Sequence, residues 1–219
     1  STASEILENK YIGFDFGGRN LKFEKGFGSI LAPNGIQNNL SLYSGHHIND
    51  WAKIEVGHSF KKKITTTAEI FDEETEFGVA DYIGIGDADS YSSRLDVQSY
   101  FLNIVGDWKL RDNVILSPFI GVSYVRTKFS LDIIDVDGFI PTAQDRVDLN
   151  FETKTNKWLA RGGLSLLIYI NPSVGAKFGA TFENTKKIKM LGSRFPTLIP
   201  QNTILQLKNS MTVSFGMFF

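Results

Sequence analysis

The stretch LKNSMTVSFGMFF, residues 207–219, decides the fold. Met211, Val213, Phe215, Met217 and Phe219 alternate strictly with Ser210, Thr212, Ser214, Gly216 and Phe218. A period of two is the mark of a β-strand with two unlike faces. Here one face is wholly large and apolar, the other is mostly small hydroxyl or Gly, and the last residue is aromatic. A strand of a water-soluble sandwich shares the alternation but not that combination.

Working back from this strand, the same pattern recurs. Ile12, Phe14 and Phe16 oppose Gly13, Asp15, Gly17 and Arg19; Ile54, Val56 and Phe60 oppose Lys53, Glu55, Gly57 and Ser59. Ile120, Val122 and Tyr124 oppose Gly121 and Ser123; Leu164, Leu166 and Ile168 oppose Arg161, Gly163 and Ser165; Phe178 and Phe182 oppose Lys177, Gly179 and Glu183. Residues 95–110 resist a face assignment, because SYFLNIVG is apolar on both sides. Short polar turns at Asn49–Asp50, Arg111–Asn113 and Asn171–Pro172 join hairpins. Residues 24–36, 63–92, 131–156 and 188–206 lack sustained alternation and read as long loops, and residues 1–9 as a short polar leader. The result is eight strands whose connections alternate long and short.

Composition agrees with a single all-β domain over residues 10–219. The chain is 42% hydrophobic, with 20 Gly, 13% aromatic residues and only 6 Pro. No run approaches the roughly 18–20 apolar residues of a membrane helix, a test that strands escape because alternation dilutes hydropathy. The formal net charge of −1 gives no electrostatic footprint for nucleic acid, and the absence of Cys excludes disulfide and thiolate metal sites. No signal peptide is visible at Ser1, so an exported protein would be represented by its mature chain.

The alternating strands, the SPFIGVSY stretch at residues 117–124 and the terminal Phe219 resemble the eight-stranded bacterial outer-membrane β-barrels of the OmpA, OmpX, Ail and NspA kind. The resemblance is one of pattern, over residues 11–219. It implies a monomeric, antiparallel up-and-down transmembrane barrel with both termini periplasmic, the long loops extracellular, and outer-membrane lipid and lipopolysaccharide around it. It also implies that Phe215 and Phe219 act as the signal for the barrel assembly machinery. OmpA carries a peptidoglycan-binding domain after its barrel; here the sequence stops at the barrel, and that role is not expected. Tyr11, Trp51, Trp108, Phe218 and Phe219 are expected near the periplasmic interface, and Phe60, Tyr124, Trp158 and Phe182 near the outer one.

In such a barrel Asp15, Lys53, Glu55, Arg161, Lys177 and Glu183 face the lumen. An eight-stranded barrel is just filled by side chains, and buried charges must pair, so these six read as a structural network. The less expected reading is a small gated channel. Catalysis is not expected. His58 and Ser59 are adjacent on a strand and point to opposite faces, as do His46 and His47, which excludes a shared site. No cofactor or metal is implied; GIGDADSY, residues 84–91, lacks the downstream Glu of an EF-hand calcium loop.

Function is then left to the loops. Residues 63–92 and 131–156 are acidic, and 188–206 basic and apolar. Phe71, Asp72, Glu73, Glu74, Phe77, Tyr82, Asp137, Phe139, Arg194 and Phe195 interleave aromatic and charged groups, as binding surfaces on rigid scaffolds do. The expected function is binding of host surface, serum or environmental proteins, in the manner of an adhesin; the alternatives are a structural barrel without a specific ligand and the small channel.

Overall fold

The computed structural model describes residues 10–23, 35–69, 90–136, 147–185 and 207–219. Nine β segments run in chain order: β1 Lys10–Leu21, β2 Gly35–Asn49, β3 Ala52–Glu69, β4 Ser90–Gly106, β5 Trp108–Arg111, β6 Val114–Val136, β7 Val147–Asn171, β8 Val174–Glu183 and β9 Ser210–Phe218. Every pairing is antiparallel between chain neighbours, and two further pairings close the ring, β1 with β9 and β4 with β6. β4 and β5 are one strand interrupted at Asp107, since both pair with β6. The architecture is therefore the closed eight-stranded barrel expected from the alternation. Closure satisfies every edge, which is what a bilayer demands of a β-structure.

The short turns fall where their residues require. The Asn49 side chain accepts the Trp51 N–H at 3.0 Å, and Asn171 accepts that of Ser173 at 2.9 Å, each an Asx turn that reverses the chain in two residues. At this turn end Phe219 N–H bonds to Ile12 O at 2.8 Å, bringing the last residue beside β1.

The strands run further than the alternation suggests. Residues 63–69, 90–92, 131–136 and 147–156, expected in loops, are strand, as are Gly35 and Ile36. β3 pairs with β4 from Ala52 as far as Glu69 opposite Ser90, and β6 with β7 as far as Val136 opposite Val147. The backbone ladder does not need two unlike faces, so it continues where the alternation changes sense.

The wall consequently has two tiers. In the lower tier, nearer the turns, large apolar side chains point outward: Ile12 is 62% exposed, Ile120 69% and Val213 59%. Polar and charged groups point inward, among them Lys53, Glu55, Ser117 and Ser123, all buried. A soluble protein does not expose such a girdle; this is a lipid-facing belt. In the upper tier, formed by the extended β3, β4, β6 and β7, the sides exchange. Arg94, Arg126, Lys128 and Lys154 point outward into solvent, while Leu95, Val97, Val125, Phe129 and Leu131 are buried inside with Leu21 and Leu207. The changeover on β6 lies between Tyr124, outward, and Val125, inward.

Inside the lower tier, aromatic rings lie across glycines of the neighbouring strand. Tyr43 covers Gly13, Tyr11 covers Gly45, Phe101 covers Gly57, Phe119 covers Gly163 and Phe218 covers Gly175, each pair directly opposite in register. A Cβ at any of these glycines would collide with the ring. Tyr11 and Phe218 thus sit at the expected end but face the lumen, while Trp51, Trp108 and Phe219 are outward and exposed there. Phe60, Trp158 and Phe182 point outward, as expected, toward the other edge of the belt.

Candidate functional site

The lumen is where the described residues concentrate chemistry. All six charges expected there are inside: Asp15, Lys53, Glu55, Lys177 and Glu183 are buried, and Arg161 is largely enclosed. They form three groups along the axis. Nearest the turns, Lys53 Nζ meets Asp107 Oδ1 at 2.9 Å, and Ser117 Oγ donates to the same oxygen at 2.7 Å. Next, Lys177 Nζ lies 3.3 Å from Asp15 Oδ2 and 3.8 Å from Glu55 Oε2, while the Tyr11 hydroxyl donates to Glu55 Oε1 at 2.7 Å. Furthest up, Lys61 Nζ lies 3.8 Å from Glu183 Oε1, and Ser123 Oγ donates to Glu183 Oε2 at 2.6 Å.

Three charged members lie outside the expected set: Lys61, Arg19 and Asp107. Lys61 continues the inward parity of Lys53 and Glu55, and Arg19 that of Asp15, so alternation carries the signal for both. Asp107 sits at the break between β4 and β5 but keeps the inward parity of Asn103 and Val105, a signal hidden by the two apolar faces of residues 95–110. Arg19 Nε donates to Gln37 Oε1 at 3.0 Å, and Gln37 Nε2 in turn to Lys62 O at 3.1 Å. The Arg161 guanidinium lies 4.1 Å from the centre of the Phe101 ring, and Lys177 Nζ 4.0 Å from that of Tyr43, placing cations on ring faces where the π-quadrupole attracts them. Pairing and ring contacts together offset the cost of removing these ions from water.

Two features bear on transport. A cavity of about 220 Å³ opens at the turn end and reaches in past Tyr11, Tyr43 and His47 to Glu55 and Lys177. Beyond the Lys61–Glu183 pair lies the mostly apolar layer of the upper tier; among the described residues its polar members are Gln37, which accepts from the buried Arg19, and Ser93 and Thr127. An ion travelling along the axis meets paired charges and then a mostly apolar layer entered beside the buried Arg19.

His58 and Ser59 do lie on opposite faces. His58 stacks on Tyr100 of β4 on the outer face, ring centres 4.3 Å apart and planes 7° apart, while Ser59 Oγ is 2.8 Å from Ser41 Oγ inside. His47 points into the turn-end cavity and His46 outward. The structure thus keeps these four groups from forming one catalytic pair. Phe71, Asp72, Glu73, Glu74, Phe77, Tyr82, Asp137, Phe139, Arg194 and Phe195 lie outside the described residues. Phe215, half exposed, stands on the lipid face.

No protein-family model matches the chain, and no curated protein matches it in sequence. Solved structures do match. A major outer membrane protein from Thermus thermophilus is similar at TM-score 0.54 and 11% identity, over 96% of this chain and 98% of that one. The outer membrane protease OmpT from Escherichia coli is similar at 0.51 and 9%, over 96% of each. Neisserial surface protein A is similar at 0.50 and 13%, again over 96% of each. Identities this low carry the fold and no activity, and a protease stands among the three. What they establish is that this chain has the transmembrane β-barrel fold of bacterial outer-membrane proteins.

Proposed function

We propose that this chain is a bacterial outer-membrane surface protein that binds host or environmental proteins through its long connections, with the barrel as a sealed scaffold. In this reading the turns and both described ends, Lys10 and Phe219, lie on the periplasmic side, and the upper tier projects from the cell. The observation that carries it is the upper tier itself. From Tyr124 to Val136 of β6 is roughly 40 Å of strand beyond the belt. That extension has its own packed interior of Leu95, Val97, Phe129 and Leu131. A barrel that only fills membrane area needs no such stalk, and a pore would not plug its mouth with apolar side chains. A stalk held rigid by its own core does one thing well: it presents the connections at residues 70–89 and 137–146 at a fixed distance from the membrane.

The test is gain of binding. The chain is displayed on a non-adherent bacterium and capture of serum and matrix proteins is measured, beside a variant in which residues 70–89 and 137–146 are replaced by short Gly/Ser turns. Capture by the intact chain that vanishes in the variant, with both barrels inserted equally, supports the reading. Equal absence of capture overturns it in favour of a structural barrel.

A further inference from the structure

We infer that the outward face of the stalk, just beyond the belt, is a docking site for the phosphate of a lipid head group. Tyr124 and Trp158 face each other across β6 and β7 with ring centres 5.1 Å apart, an aromatic pair of the type that marks a bilayer interface. The next outward pair along the same strands is Arg126 with Asn156, and the next Lys128 with Lys154. Each outward step rises about 5 Å for strands tilted near 40°. These three cations therefore stand one and two steps above the interface, in the layer that head-group phosphates occupy.

Their arrangement is one that stability alone does not favour. Lys128 and Lys154 are directly opposite, and like charges so placed repel. Glu152 draws both in, at 3.0 Å from Lys128 and 3.5 Å from Lys154, while Arg126 forms no ion pair among the described residues. Arg126, Lys128 and Lys154, with Asp96, Gln98 and Asn156, border a depression of about 260 Å³, and Glu152 stands beside it on the two lysines. Three cations against Asp96 and the neighbouring Glu152 leave one net positive charge in and beside it. An arginine fork takes two oxygens of a phosphate at once, and two lysines add point charges around a third. Anchoring at this height suits a lipid, because the acyl chains of the same molecule can lie along Tyr100, Val122 and Ile120 below, all outward and exposed or half-exposed. The inference stands or falls separately from protein binding by the connections.

The test uses the full chain refolded in neutral-lipid nanodiscs. Diphosphoryl lipid A or its dephosphorylated counterpart is titrated in, and retained lipid is counted by native mass spectrometry. The phosphorylated lipid should be retained at least tenfold more tightly. R126Q/K128Q/K154Q should weaken that retention about a hundredfold, while K109Q, whose charge lies at the turn end, should leave it unchanged. Heat-modifiable gel mobility confirms that each variant is folded. Equal retention of the two lipids, or full retention by the triple variant, would overturn the inference. Release of the lipid by millimolar inorganic phosphate would also overturn it, since it would show a site for soluble anions.

Discussion

The two tiers of the wall are built from the same strands with opposite sidedness. Below Tyr124, β6 sends Leu116, Pro118, Ile120 and Val122 outward and Ser117 and Ser123 inward; above it, Val125, Phe129 and Leu131 go inward and Arg126 and Lys128 outward. β4 does the same about Ser99, with Tyr100, Leu102 and Ile104 outward below and Leu95 and Val97 inward above. β4 and β6 have not slipped past one another, since their pairing is continuous through the changeover; the one irregularity beside it is a bulge on β3 between Lys61 and Ile64. What changes is the solvent. Where lipid surrounds the wall, apolar groups gain nothing by turning inward and charges must turn there. Where water surrounds it, the ordinary hydrophobic rule returns. The switch in sidedness therefore marks the membrane boundary within the sequence.

Substitutions put this contrast to the test, and urea unfolding of the refolded protein in vesicles, followed by gel mobility, measures each. The largest effect is expected inside the lower tier. Glu183→Ala strands Lys61 beside Arg161 without their carboxylate and should cost about 3–5 kcal/mol, as removal of one member of a buried pair does. Inside the upper tier the packing is mostly apolar, and Phe129→Ala should instead cost about 3 kcal/mol through the cavity it leaves. On the outside, Ile120→Lys in the belt should cost about 2–3 kcal/mol, whereas Ser130→Lys on the same strand and face in the upper tier should change stability by less than about 0.5 kcal/mol. Equal costs at these two positions would show that the boundary has been misplaced.

The smallest effect is a pH dependence. The hydrogen bond from Lys128, with the nearby Lys154 charge, holds the Glu152 carboxyl below its ordinary range. A depressed carboxyl contributes stability above its unfolded pKa and loses it as pH falls through the folded one. Because Glu152 is fully solvated, acid titration of the native protein should be barely distinguishable from that of Glu152→Gln.

This contrast also explains which parts are legible in the sequence. β9, β8 and the lower part of β7 are confined to one solvent regime, so their alternation gives the faces directly. All six expected lumen charges follow from parity. Residues 95–110 are ambiguous because β4 carries apolar groups on both faces, Phe101 and Val105 inside against Leu102 and Ile104 outside, close to the switch at Ser99. Residues 131–156 read as loop for a related reason. Glu152, Lys154 and Asn156 have the composition of solvated chain, and only the ladder between β6 and β7 shows them to be strand. Asp107 keeps the inward parity of Asn103 and Val105, since the register with β6 runs unbroken from Val105 to Trp108, but it shares the ambiguity of residues 95–110 and so stays unassigned in the sequence.

The five aromatic–glycine pairs inside the barrel have a consequence for descent. Each is a lock with two halves on different strands, and neither half can be altered alone: a methyl on the glycine meets the ring, and loss of the ring leaves a hollow over the glycine. The lock works either way round, as between β1 and β2, where Tyr43 lies over Gly13 and Tyr11 over Gly45. Among homologous chains, glycine and aromatic residue at these paired positions should therefore be inherited, exchanged or lost together, and the coupling should trace out which strands are neighbours.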